Sequence, residues 1–147
     1  IRTTFIVGHP GETENDFQEM LEFIKRSKFD RAGCFTYSHE ENTHAYSMTD
    51  DVTAEEKQSR VETLMSLQES ISLELNQKKI GKTFKILVDR KEGDQYIGRT
   101  EHDSPEVDNE VLISSPDTYL RIGDFTSVTI DDASEFDLMG TVTRRGL

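Results

Sequence analysis

Between Arg2 and Tyr37 the chain is patterned as strand, helix, strand, with links too short for any connection but a parallel crossover. Arg2–Val7 (RTTFIV) is β-branched and apolar, and the turn-forming run Gly8-His9-Pro10-Gly11 ends it. Thr13 with Asp16 three residues on predicts a helix start; Glu12 and Glu14 suit the positive end of its dipole, and Lys25, Arg26 and Lys28 the other. Phe17, Met20, Leu21 and Ile24 fall at i, i+3, i+4 and i+7, which gives that helix one apolar stripe. Arg31–Tyr37 (RAGCFTY) reads as a second strand and completes a βαβ unit, the building block of parallel sheets with right-handed crossovers.

Two parallel strands with helices cannot bury both faces and both edges of their sheet. The expectation is therefore a fragment: either more chain belongs upstream of Ile1, or another molecule covers the edge. Past Tyr37 the pattern changes in kind. Ser38 to Asp51 is polar and irregular, Thr53 with Glu56 forms a second capping box, and Val61, Leu64, Met65, Ile71 and Leu75 predict a helix from Ala54 to Gln77, ending before Gly81. Beyond Gly81 come five short strand-like runs, Thr83–Val88, Tyr96–Thr100, Glu110–Ile113, Phe125–Ile130 and Leu138–Val142, with turn formers in each gap. That spacing without helices predicts a small closed or nearly closed antiparallel barrel of the OB-like kind. The fold class expected is α/β followed by all-β, with domains at 1–77 and 78–147.

With 147 residues, 33% hydrophobic and 31% charged, the chain is lean but not disordered, and two modest cores suit it better than one large one. No apolar run approaches the roughly 18 residues that cross a bilayer, and no signal-type segment follows Ile1, so the reading is cytoplasmic with no membrane partner. Net charge is −12: residues 1–75 carry 7 basic and 15 acidic side chains, and residues 76–147 carry 10 and 14, a net −4. Such a surface repels phosphate backbones and attracts basic partners, although solubility alone accounts for it about as well.

Several constellations have a chemical reading beside a plain one. Gly81-Lys82-Thr83 is not a phosphate loop: Asn76 stands where the first glycine belongs, and a strand follows in place of a helix. Gly8 to Glu12 lies where a parallel strand feeds a helix, the edge at which α/β sheets bind ligands, and tight-turn geometry explains its glycines equally well. His9 has no partner at ligand spacing, so no metal role is assigned to it. His39, Glu40, Glu41 and His44 fall on the same edge and read as a solvated loop more readily than as a metal site. Cys34, the only cysteine, sits mid-strand and reads as inert; alone it makes no disulfide and no iron-sulfur or zinc site. In the barrel, Arg99 leads into Asp103-Ser104-Pro105-Glu106-Val107-Asp108, which lacks the calcium-loop pattern and reads as a loop that is either solvated or recognises something basic.

Three runs, TTFIVGHPGETENDF (Thr3 to Phe17), FDRAGCFTYSHEENTHA (Phe29 to Ala45) and YIGRTEHDSPEVDNEV (Tyr96 to Val111), are similar to the radical S-adenosylmethionine (SAM) methylthiotransferases. Within that family they more closely resemble the members that methylthiolate an aspartate of small-subunit ribosomal protein twelve. The resemblance covers Arg2 to Val142 and implies that Arg2 to Gln77 is the last part of a radical SAM partial barrel and that the remainder is a TRAM domain. It implies a SAM site involving Gly8, Gly11, Glu12, Phe35, Tyr37 and Ser38, and docking of a basic ribosomal protein by Arg99, Asp103, Glu106 and Asp108. It also implies two 4Fe-4S clusters whose cysteines belong upstream of Ile1, so this chain alone is expected to bind no iron and to be inactive. The tRNA-modifying sister enzymes and a non-enzymatic β-barrel adaptor are the alternatives; the barrel's acidity makes RNA the less expected partner.

Overall fold

A computed structural model of the chain describes residues 1–104, 109–114 and 117–143. The chain divides into two compact units, Ile1–Ser72 and Leu73–Leu147, a division that falls inside a helix, about one turn ahead of the Gln77/Lys78 junction expected from sequence.

In the first unit, strands β1 (Arg2–Val7) and β2 (Arg31–Thr36) pair in parallel and are linked by helix α1 (Glu14–Ser27). The capping box at the start of α1 forms as expected: the Asp16 amide donates to Thr13 Oγ1 at 3.1 Å and the Thr13 amide to Asp16 Oδ2 at 2.8 Å. The bond from the Thr13 amide, with the Thr13 side chain adding to it, favours the charged form and holds the Asp16 carboxyl below the ordinary aspartate value. Lys28 ends the helix in a left-handed conformation at φ 47°. Helix α1 buries Phe17, Leu21 and Ile24, three of the four residues in the predicted stripe.

Polar residues 38–51 carry only one 3-10 turn, His44–Ser47, before helix α2 (Ala54–Gln77). The expected apolar face of α2 is buried at Leu64 and Ile71, but the same side of the helix also buries Lys57, Arg60, Gln68 and Ser72. Local patterning did not reveal those four polar residues, and each must find a partner inside the fold.

The second unit is a closed five-stranded barrel of β3 (Thr83–Glu92), β4 (Gln95–Thr100), β5 (Glu110–Ser114), β6 (Phe125–Ala133) and β7 (Asp137–Val142) in the order β3-β4-β5-β7-β6, with β6 returning to β3. Four of the pairings are antiparallel; β5 and β7 run parallel, which the expectation of an antiparallel barrel did not include. Ile86, Val88, Tyr96, Val111, Ile113, Val128, Ile130 and Leu138 fill the interior. A Cβ on Gly98 would lie 2.5 Å from both Ile86 Cγ2 and the Leu87 carbonyl oxygen, and one on Gly140 2.5 Å from Val128 Cγ1 and 2.6 Å from the Thr129 oxygen. Glycine at these two points lets neighbouring strands close tightly around a small core.

Candidate functional site

The C-terminal ends of β1 and β2 emerge side by side. Ile6 is in register with Phe35 and Val7 with Thr36, and the Tyr37 amide donates to the Val7 carbonyl at 2.8 Å. Residues 8–12 and 37–39 thereby border one edge, as the βαβ pattern requires. The Glu12 amide donates to the His9 carbonyl at 2.9 Å and closes a tight turn in which Gly8 and Gly11 take φ of 79° and 83°. Gly8 is glycine for a second reason: a Cβ there would meet Lys57 Cγ at 2.3 Å.

Glu12 is largely spoken for. Its Oε2 accepts from the Gly8 amide at 2.8 Å and from the Arg60 guanidinium, with side chains only 9% and 4% exposed. Arg60 also donates to Glu56 at 2.8 Å and lies 5.6 Å from the centre of the Phe17 ring. Burial works against its charge, but the hydrogen bond and charge of Glu12, with Glu56 and Glu14 behind, hold its pKa above the ordinary arginine value. One helical turn earlier, Lys57 donates to both carboxylate oxygens of Asp50 at 2.8 and 2.9 Å. The Gly11 amide donates to Asp51 Oδ1 at 2.8 Å. Of the predicted loop residues, Gly8, Gly11 and Glu12 thus present neither a free amide nor a free carboxylate outward; they shape the edge.

Apolar and aromatic side chains face outward. Ile6 is 56% and Phe35 65% exposed, neighbours on adjacent strands. Next to them the His9 and Tyr37 rings meet at 5.4 Å, the Tyr37 hydroxyl lies 2.9 Å from His39 Nδ1, and His39 packs on Tyr46 at 4.6 Å. Ser38 donates to Glu40, which occupies its hydroxyl. Cys34 is half-buried, and desolvation, with the charge of Glu12 adding to it, pushes its thiol up to about 11. Among the described residues no group of three His, Cys, Asp or Glu side chains is placed to hold a metal ion.

On the barrel, Arg99 Nε lies 3.2 Å from Asp89 Oδ1, an ion pair between β4 and β3, and Asp103 Oδ2 accepts from Thr100 Oγ1 at 2.6 Å, which braces the start of its own loop. Arg90 bridges Glu92 and Glu110 and is held above its ordinary pKa by those hydrogen bonds. Lys85 sits 4.3 Å from the centre of the exposed Phe125 ring, in a shallow concavity with Thr126, Ser127 and Thr143. Sequence periodicity gave no sign of this surface, because its members come from β3, from β6 and from the residue after β7.

Residues 80–143 match the family described as the TRAM domain. The barrel is a TRAM domain. Over 143 residues the chain is 63% identical to a protein of Cytophaga hutchinsonii named ribosomal protein uS12 methylthiotransferase RimO, a match covering 97% of this chain and 33% of that protein. Proteins of the same name from Christiangramia forsetii (59% over 140 residues, 95% and 31% covered) and Phocaeicola vulgatus (55% over 143 residues, 97% and 33% covered) are similar to it in the same way. The chain spans about a third of the length of these curated relatives. A solved structure from Streptococcus pneumoniae, described as a multidomain protein with nucleic acid binding domains, superposes with a TM-score of 0.36 at 14% identity over 50% of this chain and 29% of that one; a likeness at that level carries no argument.

The remaining residues of the predicted docking loop in the TRAM domain, Glu106 and Asp108, lie outside the described residues. The loop's described part starts at the Arg99–Asp89 pair and the Thr100–Asp103 bond, so the TRAM domain itself fixes the point from which the loop departs.

Proposed function

We propose that this chain belongs to a methylthiotransferase that modifies an aspartate of ribosomal protein uS12 by radical SAM chemistry, with the first unit contributing part of the SAM site and the TRAM domain docking the substrate. The carrying observation is the 63% identity over 97% of the chain to a protein named for that activity.

The edge in the first unit fits the adenosyl part of SAM. Ile6 and Phe35 offer a flat apolar ledge, Tyr37 and His9 add ring faces beside it, and the turn held by Glu12 and Arg60 keeps the backbone of residues 8–12 low along the rim. The chemistry that SAM supplies when bound is a radical able to activate an inert carbon and a methyl group for transfer. The part of this chain is to bind and orient: Phe35 and Ile6 exclude water from one side, and Glu12 holds the turn through Gly8. Iron-sulfur clusters do not fit the residues present, because Cys34 is the sole cysteine and burial keeps its thiol protonated at neutral pH.

For the TRAM domain, a net −4 over residues 76–147 supports a basic protein as the docked partner, with Arg99, Asp103, Glu106 and Asp108 at the contact. Reversing Asp103, Glu106 and Asp108 to lysine in the full-length protein is expected to weaken uS12 binding at least tenfold, read by fluorescence anisotropy at low salt; unchanged affinity would refute the docking role. The Lys85–Phe125 concavity favours a second reading, an RNA contact, since a cation beside an exposed ring suits a stacked base. Titration with tRNA at two salt concentrations separates the two, because tight, steeply salt-dependent binding belongs to the RNA reading alone.

A further inference from the structure

One side chain beneath the proposed adenosyl edge touches both of its borders. Lys57 is 8% exposed, a degree of burial that lysines reach almost only when paired. Its stem packs under the loop, where a Cβ on Gly8 would come within 2.3 Å of Lys57 Cγ. Its ammonium is shared between the two Asp50 oxygens and the face of Tyr37, whose ring centre lies 5.2 Å away. The neighbouring Asp51 takes the Gly11 amide. Lys57 therefore braces the residue that opens the Gly8–Glu12 loop and the aromatic residue that comes after β2. Through the adjacent Asp50 and Asp51 it also reaches the glycine near the loop's far end.

We propose that Lys57 is a positioning residue for the ligand edge, holding the Tyr37 ring and the Gly8–Glu12 turn in the one mutual arrangement that accepts an adenosyl group. This rests on the reading of the edge as a SAM site. A compact ammonium on an unbranched stem suits the place: the stem fills the space that the missing Gly8 side chain leaves, and the head serves two carboxylate oxygens and a ring face at once. Tyr37 also meets the loop through the His9 ring and β1 through its amide, but from α2 it is Lys57 that reaches it, while Arg60, one turn on, serves Glu12 and its surroundings.

The test uses the full-length natural protein that carries this stretch, with S-adenosylhomocysteine as the calorimetric probe and hydrogen exchange of residues 8–12 as a readout independent of ligand. Lys57→Met keeps the stem and deletes the charge; it is expected to bind the probe roughly tenfold or more weakly, because small misplacements of a binding group carry penalties of that size. Exchange at Gly8–Glu12 should quicken by a similar factor while α1 exchanges as before. Lys57→Arg, which keeps a cation for Asp50, should restore most of both. Asp50→Asn, on a more exposed partner, tests the same link should Lys57→Met fold poorly, and should shift both readouts in the same direction. Affinity within twofold of wild type in Lys57→Met or Asp50→Asn overturns the proposal, whatever the exchange shows, because a purely structural lysine would loosen the turn and leave affinity untouched. Should the wild-type protein fail to bind the probe, the adenosyl reading falls, and unchanged exchange in both variants would overturn the positioning claim separately.

Discussion

Removing the Glu12 carboxylate should be among the most damaging single changes in the first unit. Glu12 and Arg60 are 9% and 4% exposed at their side chains, so Glu12→Ala strands a guanidinium in the interior and leaves the buried Gly8 amide without its acceptor. Breaking a buried pair from one side costs about 3–5 kcal/mol, and the orphaned amide falls within that figure in place of adding to it in full. Glu56 and Glu14 offset little, being 46% and 67% exposed. Glu12→Gln keeps an acceptor for Gly8 and loses the charge, so it should cost less, about 1–3 kcal/mol. The double variant Glu12→Leu/Arg60→Met removes both charges and should cost clearly less than the two single changes together, a coupling of about 2–3 kcal/mol. Urea unfolding followed by far-ultraviolet circular dichroism reads this, because the helical signal comes from α1 and α2 and very little from the barrel. A Glu12→Ala cost under about 1 kcal/mol, or full additivity in the double variant, would show that the pair is structurally idle.

Three further outcomes are expected. Gly98→Ala and Gly140→Ala should each destabilise the barrel by about 1–3 kcal/mol or more, since the added methyl meets a backbone oxygen that cannot move aside, while Gly93→Ala, in open space at φ 57°, should cost only about 1–2 kcal/mol; urea midpoints of the isolated variants rank them. With its thiol near 11, Cys34 should alkylate with iodoacetamide about two orders of magnitude more slowly at pH 8 than a free cysteine, its rate still rising beyond pH 9, and a plateau by pH 9 would contradict the burial account. Thr13→Ala should cost the cap of α1 about 1 kcal/mol. Because the folded pKa of Asp16 is depressed, its contribution is complete above the unfolded aspartate value near 3.8 and fades as pH falls through the lower folded value, so Asp16→Asn, which removes the titrating group, should flatten that acid limb of the helical signal, whereas Thr13→Ala, which keeps the Thr13 amide as the larger cause, should flatten it only in part.

Much of the architecture was legible because it is local. The capping box at Thr13, the span Ala54–Gln77 and all five barrel strands follow from periods of 3.6 and 2 and from turn chemistry, and the structure has them where the patterns put them, with each of the five strands extended by one to four residues. The parallel β5–β7 pairing was not, since nothing in Glu110–Ser114 or Asp137–Val142 states which strand lies alongside which, or in which sense. The candidate edge divides in the same way. Its place at the ends of β1 and β2 follows from strand-helix-strand order, and so does the nearness of Gly8–Glu12 to Phe35 and Tyr37.

The role of Glu12 was hidden because its partner is 48 residues away on α2, beyond any i, i+4 rule. Lys57 is hidden for a different reason: between Glu56 and Gln58 in a charged opening turn it reads as one more solvated lysine. Only the glycine at position 8 gives a clue. A conformation with φ of 79° explains a glycine, but the 2.3 Å approach of Lys57 Cγ adds a demand that no turn preference makes. Glycine at such a turn is usually read as room for a ligand; at position 8 the room is already taken by a lysine stem, and the exposed surface of the candidate edge is left to Ile6 and Phe35, with Tyr37 beside them. Gly8→Ala should therefore disturb the edge even in the absence of any ligand; truncating the stem with Lys57→Ala relieves the clash but also deletes the ammonium, so the double variant should differ from Lys57→Ala alone only by the positive-φ strain of about 1–2 kcal/mol at position 8. Exchange at residues 8–12 in Gly8→Ala/Lys57→Ala no faster than in Lys57→Ala alone would mean that the backbone at position 8 carries no strain of its own and that the lysine alone selects the glycine.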